Sequence, residues 1–234
     1  MSPRCHRFGR LEGRGTSAAD LRVCYRARVA SDPELLAAWR QGDRRAGQVL
    51  FARYFEPVSR FFANKLGRGQ DDLVQETFEA CVRGRDRLRH DTSFRSYLFA
   101  VAFNVLKAHF RRQRSHARID ALGSASIHDL APGPSTVART VEQEGLLLEA
   151  LRRIPLDLQV VLELRYWEDM SSTEIGAVLD LPSPTVRSRL QRGRALLERT
   201  ITELPAPPQL RDSTLSELDA WVARIRASMT LAAS

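Results

Sequence analysis

The sequence predicts an all-α protein of two small helical domains joined by a flexible linker, the second containing a helix-turn-helix. Two segments, 31–114 and 140–204, carry apolar residues at spacings of three and four, with none of the alternation a strand requires. Between them, 115–139 includes Gly123-Ser124-Ala125-Ser126 and Ala131-Pro132-Gly133-Pro134-Ser135, a composition that cannot bury a core. Charge divides the same way. Residues 35–114 hold 16 Lys and Arg against 8 acids and 115–204 hold 10 against 13, so the first body is the one suited to a polyanion. At 234 residues, with 43% hydrophobic and 27% charged, the chain is long enough for two cores and too apolar to be disordered throughout.

Taken in order, 1–30 is rich in Arg, Gly and Ser without helical period and reads as a disordered basic arm. Arg4, Arg7, Arg10 and Arg14 interrupt the apolar centre a signal peptide needs, and no apolar run reaches the roughly 20 residues of a membrane span. A cytoplasmic protein is expected. The scattered Cys5, Cys24 and Cys81 suit neither a disulfide framework nor a zinc site, which fits a reducing compartment. Ser31-Asp32-Pro33-Glu34 reads as a helix start with Ser31 or Asp32 as cap, and helices follow to about Arg114. Their core stripes are read as Leu35, Leu36 and Trp39, then Leu50 to Leu66 with Phe51, Tyr54, Phe55, Phe61 and Phe62, then Leu73, Val74, Phe78, Cys81 and Val82, then Phe94, Leu98, Val101 and Val105.

Beyond the linker, about four helices are expected up to Leu204, with turns near Ile154-Pro155, Asp169-Met170-Ser171 and Leu181-Pro182. Pro205-Ala206-Pro207-Pro208 stops the last of them. Within the extension 205–234, residues 210–230 offer one more amphipathic helix carrying Leu215, Leu218, Trp221, Val222 and Ile225, whose apolar stripe suits packing against the second domain or, second to that, a regulatory element that masks DNA-binding surface.

The helix-turn-helix lies inside the second domain. Ser171-Ser172-Thr173-Glu174 is a capping box that opens a short helix burying Ile175, Val178 and Leu179. The chain turns at Asp180-Leu181-Pro182, and Ser183-Pro184 offers a second start with a hydroxyl cap and proline at the first position. At 100° per residue, Val186, Leu190, Gly193 and Leu197 fall on one stripe while Arg187, Ser188, Gln191 and Arg194 project from the other side. Arginine pairs with guanine and glutamine with adenine in a major groove, and Arg189 and Arg192 at the flanks are placed for phosphates.

The ordered run Leu151-Arg-Arg-Ile154-Pro155, Val161-Leu-Glu-Leu-Arg165-Tyr166-Trp-Glu-Asp-Met-Ser171, Glu174-Ile175-Gly-Ala-Val-Leu179 and Thr185-Val186-Arg187-Ser188-Arg189-Leu190-Gln191-Arg192-Gly-Arg194 resembles region 4 of bacterial RNA polymerase sigma factors. That resemblance implies reading of the −35 promoter element, with Arg187, Ser188 and Gln191 toward bases and Thr185, Arg189 and Arg192 beside them. Gly176 and Gly193 stand where the family usually has alanine, and Pro182 and Pro184 stiffen the turn. In the first domain, Asp71-Asp72-Leu73-Val74-Gln75-Glu76-Thr77-Phe78 resembles region 2.2, which docks on the β′ clamp helices of the polymerase. The resemblance implies a polymerase-binding set of Asp72, Leu73, Gln75, Glu76 and Glu79, and the helical period turns Leu73, Val74, Phe78 and Val82 inward with the acids and amide outside.

Downstream, the loop Arg87 to Ser93 and the helix Phe94–Arg114 resemble regions 2.3 and 2.4, which hold the non-template strand of the −10 element. Single-strand capture needs cations and flat or polar faces, offered by Arg89, His90, Asp91 and Thr92 in the loop and by Arg95, Tyr97, Asn104, Lys107 and Arg111 on the helix. Tyr97 replaces the family's usual tryptophan and Phe103 its usual arginine, and Phe103 is read as core. The short linker leaves no room for regions 1.1 and 3, which points to the compact extracytoplasmic-function (ECF) group.

The resemblance therefore implies a promoter-specificity factor that binds core RNA polymerase at the β′ clamp helices and the β flap, recognises promoter DNA and assists strand opening, with an anti-sigma protein as a common partner in the group. No catalytic, cofactor or metal site is expected. Asp71, Asp72 and Glu76 share a helix, but no third carboxylate segment, histidine metal motif or Gly-rich phosphate loop completes a site. The competing reading is a free-standing dimeric helix-turn-helix regulator, which would have no need of Asp72, Gln75 and Glu76 together.

Overall fold

The computed structural model describes residues 30–66, 70–85, 93–113 and 142–216. The expected arm, the linker, the loop residues Arg89, His90, Asp91 and Thr92, and Leu218, Trp221, Val222 and Ile225 lie outside these residues. The described residues form nine helices and no strand: α1 (Asp32–Arg40), α2 (Arg44–Leu66), α3 (Asp71–Gly84), α4 (Phe94–Gln113), α5 (Glu142–Arg153), α6 (Leu156–Tyr166), α7 (Ser172–Leu179), α8 (Ser183–Glu203) and α9 (Pro208–Ser216). They fall into two compact units divided between Leu50 and Phe51.

In the first unit, Ser31 caps α1, its amide and hydroxyl both donating to Glu34 Oε2 at 2.7 and 2.8 Å. Asp43 Oδ1 accepts the amides of Arg45 and Ala46 and so opens α2. Leu35, Leu36, Trp39, Ala46 and Leu50 are buried.

The second unit begins with an aromatic core. Phe51 packs on Phe78 and Phe94 with ring centroids 5.1 and 6.2 Å apart, and Phe61 meets Phe99 edge-on at 5.8 Å. Leu73, Val74, Thr77 and Cys81 turn the inner face of α3 into this core. Burial pushes the Cys81 thiol up to about 12, so it stays protonated and unreactive. Two expected core residues are exposed, Phe55 at 53% and Val82 at 50%, and Phe51, Phe78 and Val101 are half-buried. The inner face of α3 is already filled by residues at 73, 77 and 81, so Phe78 and Val82, one position further round, fall on its edge. Phe55 stacks on Phe78 from outside, with rings 11° from parallel.

Helices α5, α6 and α8 share a core of Leu147, Ala150, Leu151, Ile154, Leu158, Leu162, Leu197, Ile201 and Leu204. The expected capping box is present, with Glu174 N donating to Ser171 Oγ and Ser171 N to Glu174 Oε2. Asp180 is left-handed at φ 55°, and Leu181 N donates to the Gly176 carbonyl at 2.9 Å. This closure explains the glycine: a Cβ at 176 would sit 2.5 Å from the Leu181 carbonyl oxygen. The second helix starts differently from the expected cap. Pro182, extended at φ −60°, is the cap residue, Ser183 is already helical, and Pro184 lies within the first turn. The fixed proline torsion places the entry one residue early.

The extension helix α9 begins at Pro208 rather than 210, because a proline at the first position leaves no amide unsatisfied and Leu210 and Arg211 donate to the Pro207 carbonyl. Thr214 is buried, Leu215 packs on the second core, and Arg211 donates to the Thr202 carbonyl at 2.9 Å, so the described part of the extension packs as expected.

Replacing Gly176 with alanine is expected to lower the unfolding free energy by about 1–3 kcal/mol through overpacking against a backbone atom. Gly145→Ala, whose added carbon meets nothing within 4 Å, should stabilise α5 by up to about 1 kcal/mol. Chemical denaturation of the two variants checks the contrast.

Candidate nucleic-acid interface

Helix α8 divides as its period requires. Val186, Gly193 and Leu197 are buried, Leu190 is half-buried, and Gly193 lies against Leu162 and Leu158 of α6. Arg187, Ser188, Gln191 and Arg192 are exposed along the outer side, with Thr185 half-buried. Arg189 is half-buried and pairs with Asp157 in the first turn of α6 at 3.3 Å, and Arg194 pairs with Glu198 at 3.0 Å.

On α3, Asp72, Gln75 and Glu79 are exposed. Leu73 is buried, so its place in the expected docking set is corrected: it supports the helix from within and is not on the surface. Glu76 is half-buried and accepts from Arg112 of α4 at 3.2 Å, while Gln75 donates to Glu79 at 2.8 Å.

On α4, Asn104 and Arg111 are exposed. Lys107 is half-buried over the ring of Phe103, 4.6 Å from its centroid, and burial together with the neighbouring Arg111 holds its ammonium below the ordinary lysine range. Phe103 is thus half-buried beneath a lysine, not the core residue expected. Tyr97 is half-buried, its hydroxyl lying 2.1 Å from where a Cβ on Gly84 would stand, so a side chain at the last residue of α3 would push the tyrosine from its present place.

Lys65, Glu163, Arg60, Glu168 and Arg152, to which the sequence reading gave no role, join Arg95 and Glu174 in a charged seam between α2 and α4 on one side and α5 to α7 on the other. Lys65 Nζ, fully enclosed, donates to Glu163 Oε2 at 2.5 Å and to the Phe61 carbonyl at 2.9 Å, and Gln159 completes the carboxylate from the other oxygen. Burial pushes the Lys65 ammonium below the ordinary lysine range, against the pull of Glu163. Arg60 donates to Glu168 Oε1 at 2.7 Å, and Arg152 donates to the carbonyls of Asn64 and Ala63 in the last turn of α2. Burial raises the Glu168 carboxyl above the usual range, with Arg60 and Arg95 opposing.

Arg95 closes the seam. It donates to the Glu168 carbonyl at 2.9 Å and to Glu174 Oε1 at 2.5 Å, while α4 packs along α7. Desolvation works against the Arg95 charge, but Glu174 outweighs it and holds the guanidinium above its ordinary value. Burial likewise tends to raise Glu174, and the bonds from Ser171 and Arg95 hold its carboxyl below the usual range. A sequence signal existed: Glu163 is the lone charge in Val160-Val161-Leu162-Glu163-Leu164, and Lys65 follows Phe61-Phe62 on an apolar face.

Two family models match, sigma-70 region 2 over residues 50–116 and sigma-70 region 4 over residues 144–197, in the order the helices show. The chain belongs to the sigma-70 family. The ECF RNA polymerase sigma-E factor of Haemophilus influenzae is 28% identical over 187 residues, covering 76% of this chain and 99% of that protein. The sigma-E factor of Escherichia coli K12 is 26% identical over 184 residues, covering 74% and 96%. A solved structure described as CnrH in complex with the cytosolic domain of CnrY shares the fold, with a TM-score of 0.53 at 24% identity over 74% of this chain and 97% of that one.

This sigma factor is accordingly a promoter-specificity factor of the ECF group, and family membership implies binding to core RNA polymerase and promoter DNA. Sigma factors are non-enzymatic initiation factors. The free-standing regulator is not favoured, because both sigma regions are present in one chain. Among the described residues, no helix is long and apolar enough to cross a membrane, and no cluster of three or more metal-ligating side chains occurs.

Changing Lys65 to methionine should lower stability by about 3–5 kcal/mol, since it strands the Glu163 carboxylate in a buried site. Adding Glu163→Leu in the same chain should recover most of the loss. Urea denaturation of the single and double variants measures both.

Proposed function

We propose that this cytoplasmic sigma factor docks on the β′ clamp helices of core polymerase through Asp72, Gln75, Glu76 and Glu79 of α3, with a second attachment of the α5–α8 domain to the β flap. The domain limits that go with this reading are 31–114 and 140–204. The −35 element is read by Arg187, Ser188 and Gln191, with Thr185, Arg189 and Arg192 on the flanks and backbone. The −10 strand is held by Arg95, Tyr97, Asn104, Lys107 and Arg111 together with the loop Arg89 to Thr92. Opening follows from tighter hold on the single strand than on the duplex. A partner protein of the anti-sigma kind fits the same reading, and its support is the fold neighbour solved with the cytosolic domain of another protein.

The observation that carries the proposal is the exposed polar side of α8 in a chain that also holds region 2 with an exposed acidic and amide face on α3. Glu76 is a poor probe, since reversing it would also break its pair with Arg112. Asp72→Lys and Gln75→Arg are the informative changes. In gel filtration with bacterial core polymerase, the wild-type chain should co-elute and the double variant should not. Co-elution of both would refute the docking face. Arg187→Ala should weaken binding of the assembled polymerase to its promoter duplex by about 10- to 100-fold, read by fluorescence anisotropy, while leaving co-elution intact.

A further inference from the structure

The outer side of α4 carries an aromatic ring under a lysine. Side chains on a helix lean toward its N-terminus, so residues one turn apart lie one over the other. Phe103, Lys107 and Arg111 follow that spacing, with the exposed Asn104 beside them. Phe103 is half-buried, and the Lys107 ammonium lies 4.6 Å from its ring centroid. The neighbouring position one turn before Phe103 is Ala100, too short to cover a ring. The inward side of α4 is filled by Leu98, Phe99, Ala102, Leu106 and Phe110, all buried, so the ring of Phe103 stands at the margin of the helix and outside its core stripe.

The lysine is a cover that can be exchanged. A cation over a partly exposed ring is held more weakly than a nucleobase stacked on one. Its ammonium is also at a disadvantage there, because burial and the charge of Arg111 both work against it, and a phosphate would offset both. A nucleotide supplies what this face can take: a flat base for the ring and an anion for the two cations.

We propose that Phe103 is a stacking platform for one unpaired base of a DNA single strand, and that Lys107 leaves the ring to take the phosphate beside that base. This rests on the assignment of α4 to the −10 strand and adds to it a residue outside that set. Phe103 stands where the family usually has arginine, so the platform belongs to this chain. A ring face accepts every base, and the platform therefore contributes strand affinity without choosing sequence.

The test separates stacking from charge. Wild type, Phe103→Leu, Phe103→Tyr, Lys107→Gln and Arg111→Gln are each assembled with bacterial core polymerase, and core alone gives the background. Anisotropy follows binding to a short fluorescein-labelled single-stranded DNA of mixed sequence over a range of salt concentrations. Phe103→Leu should weaken binding about tenfold with the salt slope unchanged, because stacking releases no counterions. Phe103→Tyr keeps the ring and should stay within about twofold of wild type. Lys107→Gln should lower the salt slope by about 0.7. Wild-type affinity in Phe103→Leu would overturn the platform, as would a loss that Phe103→Tyr shares or one that comes with a lower slope. An unchanged slope in Lys107→Gln would overturn the transfer of the lysine to phosphate. If Arg111→Gln lowers the slope while Phe103→Leu changes nothing, the platform falls and α4 keeps its strand; if none of the variants differs from wild type, the assignment of α4 to the strand falls as well.

Discussion

A carboxylate on an apolar helix must find a cation or stay out of the core, and Glu163 meets that requirement only by bringing Lys65 from another part of the chain. Their 2.5 Å contact is buried on both sides. Neither partner tolerates burial alone, so the packing of α6 against the end of α2 becomes all-or-none. Once that pair is made, Arg152 reaches the last carbonyls of α2 and Arg60 reaches Glu168. The loop after α6 and the start of α7 are thereby fixed beside α4, and Arg95 follows. A chain of charge pairs thus sets where the helix-turn-helix sits on the region 2 helices.

This arrangement distributes function unevenly. Arg187, Ser188, Gln191 and Arg192 of the proposed −35 set and Asp72, Gln75 and Glu79 of the face proposed for polymerase are exposed, whereas Arg189 pairs with Asp157, Glu76 with Arg112, and Arg95 among the −10 candidates with Glu174. Glu174 joins three tasks in one carboxylate, since it closes the capping box of α7, accepts from Arg95 and lies at the start of the helix-turn-helix. The second oxygen of a capping carboxylate is usually left to solvent. Here it is the contact that ties the helix-turn-helix to α4 and so links the entry of α7 to the placing of that helix.

Local features of the fold were legible in the sequence because their causes are local. Ser171 with Glu174 makes a capping box through a three-residue spacing, and Val186, Gly193 and Leu197 fall inward because the helical period demands it. Edges were misread for the same reason: Val82 and Phe55 have the right residue type, but a stripe wider than the available core leaves its margin in solvent. Leu73 was assigned by resemblance to a docking set that the period already turned inward. The seam was hidden, since a pairing between residues 98 positions apart depends on how the domains meet, although a single glutamate within an apolar run was the sign that a partner had to exist. Gly176 looked like a departure from the family until the turn closing onto its carbonyl showed why no side chain fits.

The central claim is that the buried pair of Lys65 and Glu163 fixes the helix-turn-helix on the region 2 helices. It is tested most directly by the distance between spin labels at Arg83 on α3 and Glu203 on α8, both well exposed, with Cys5 and Cys24 changed to serine and the buried Cys81 left in place. The account predicts one narrow distance distribution in the parent chain and a broader one once Lys65→Met is introduced. The same distribution in both chains would contradict it.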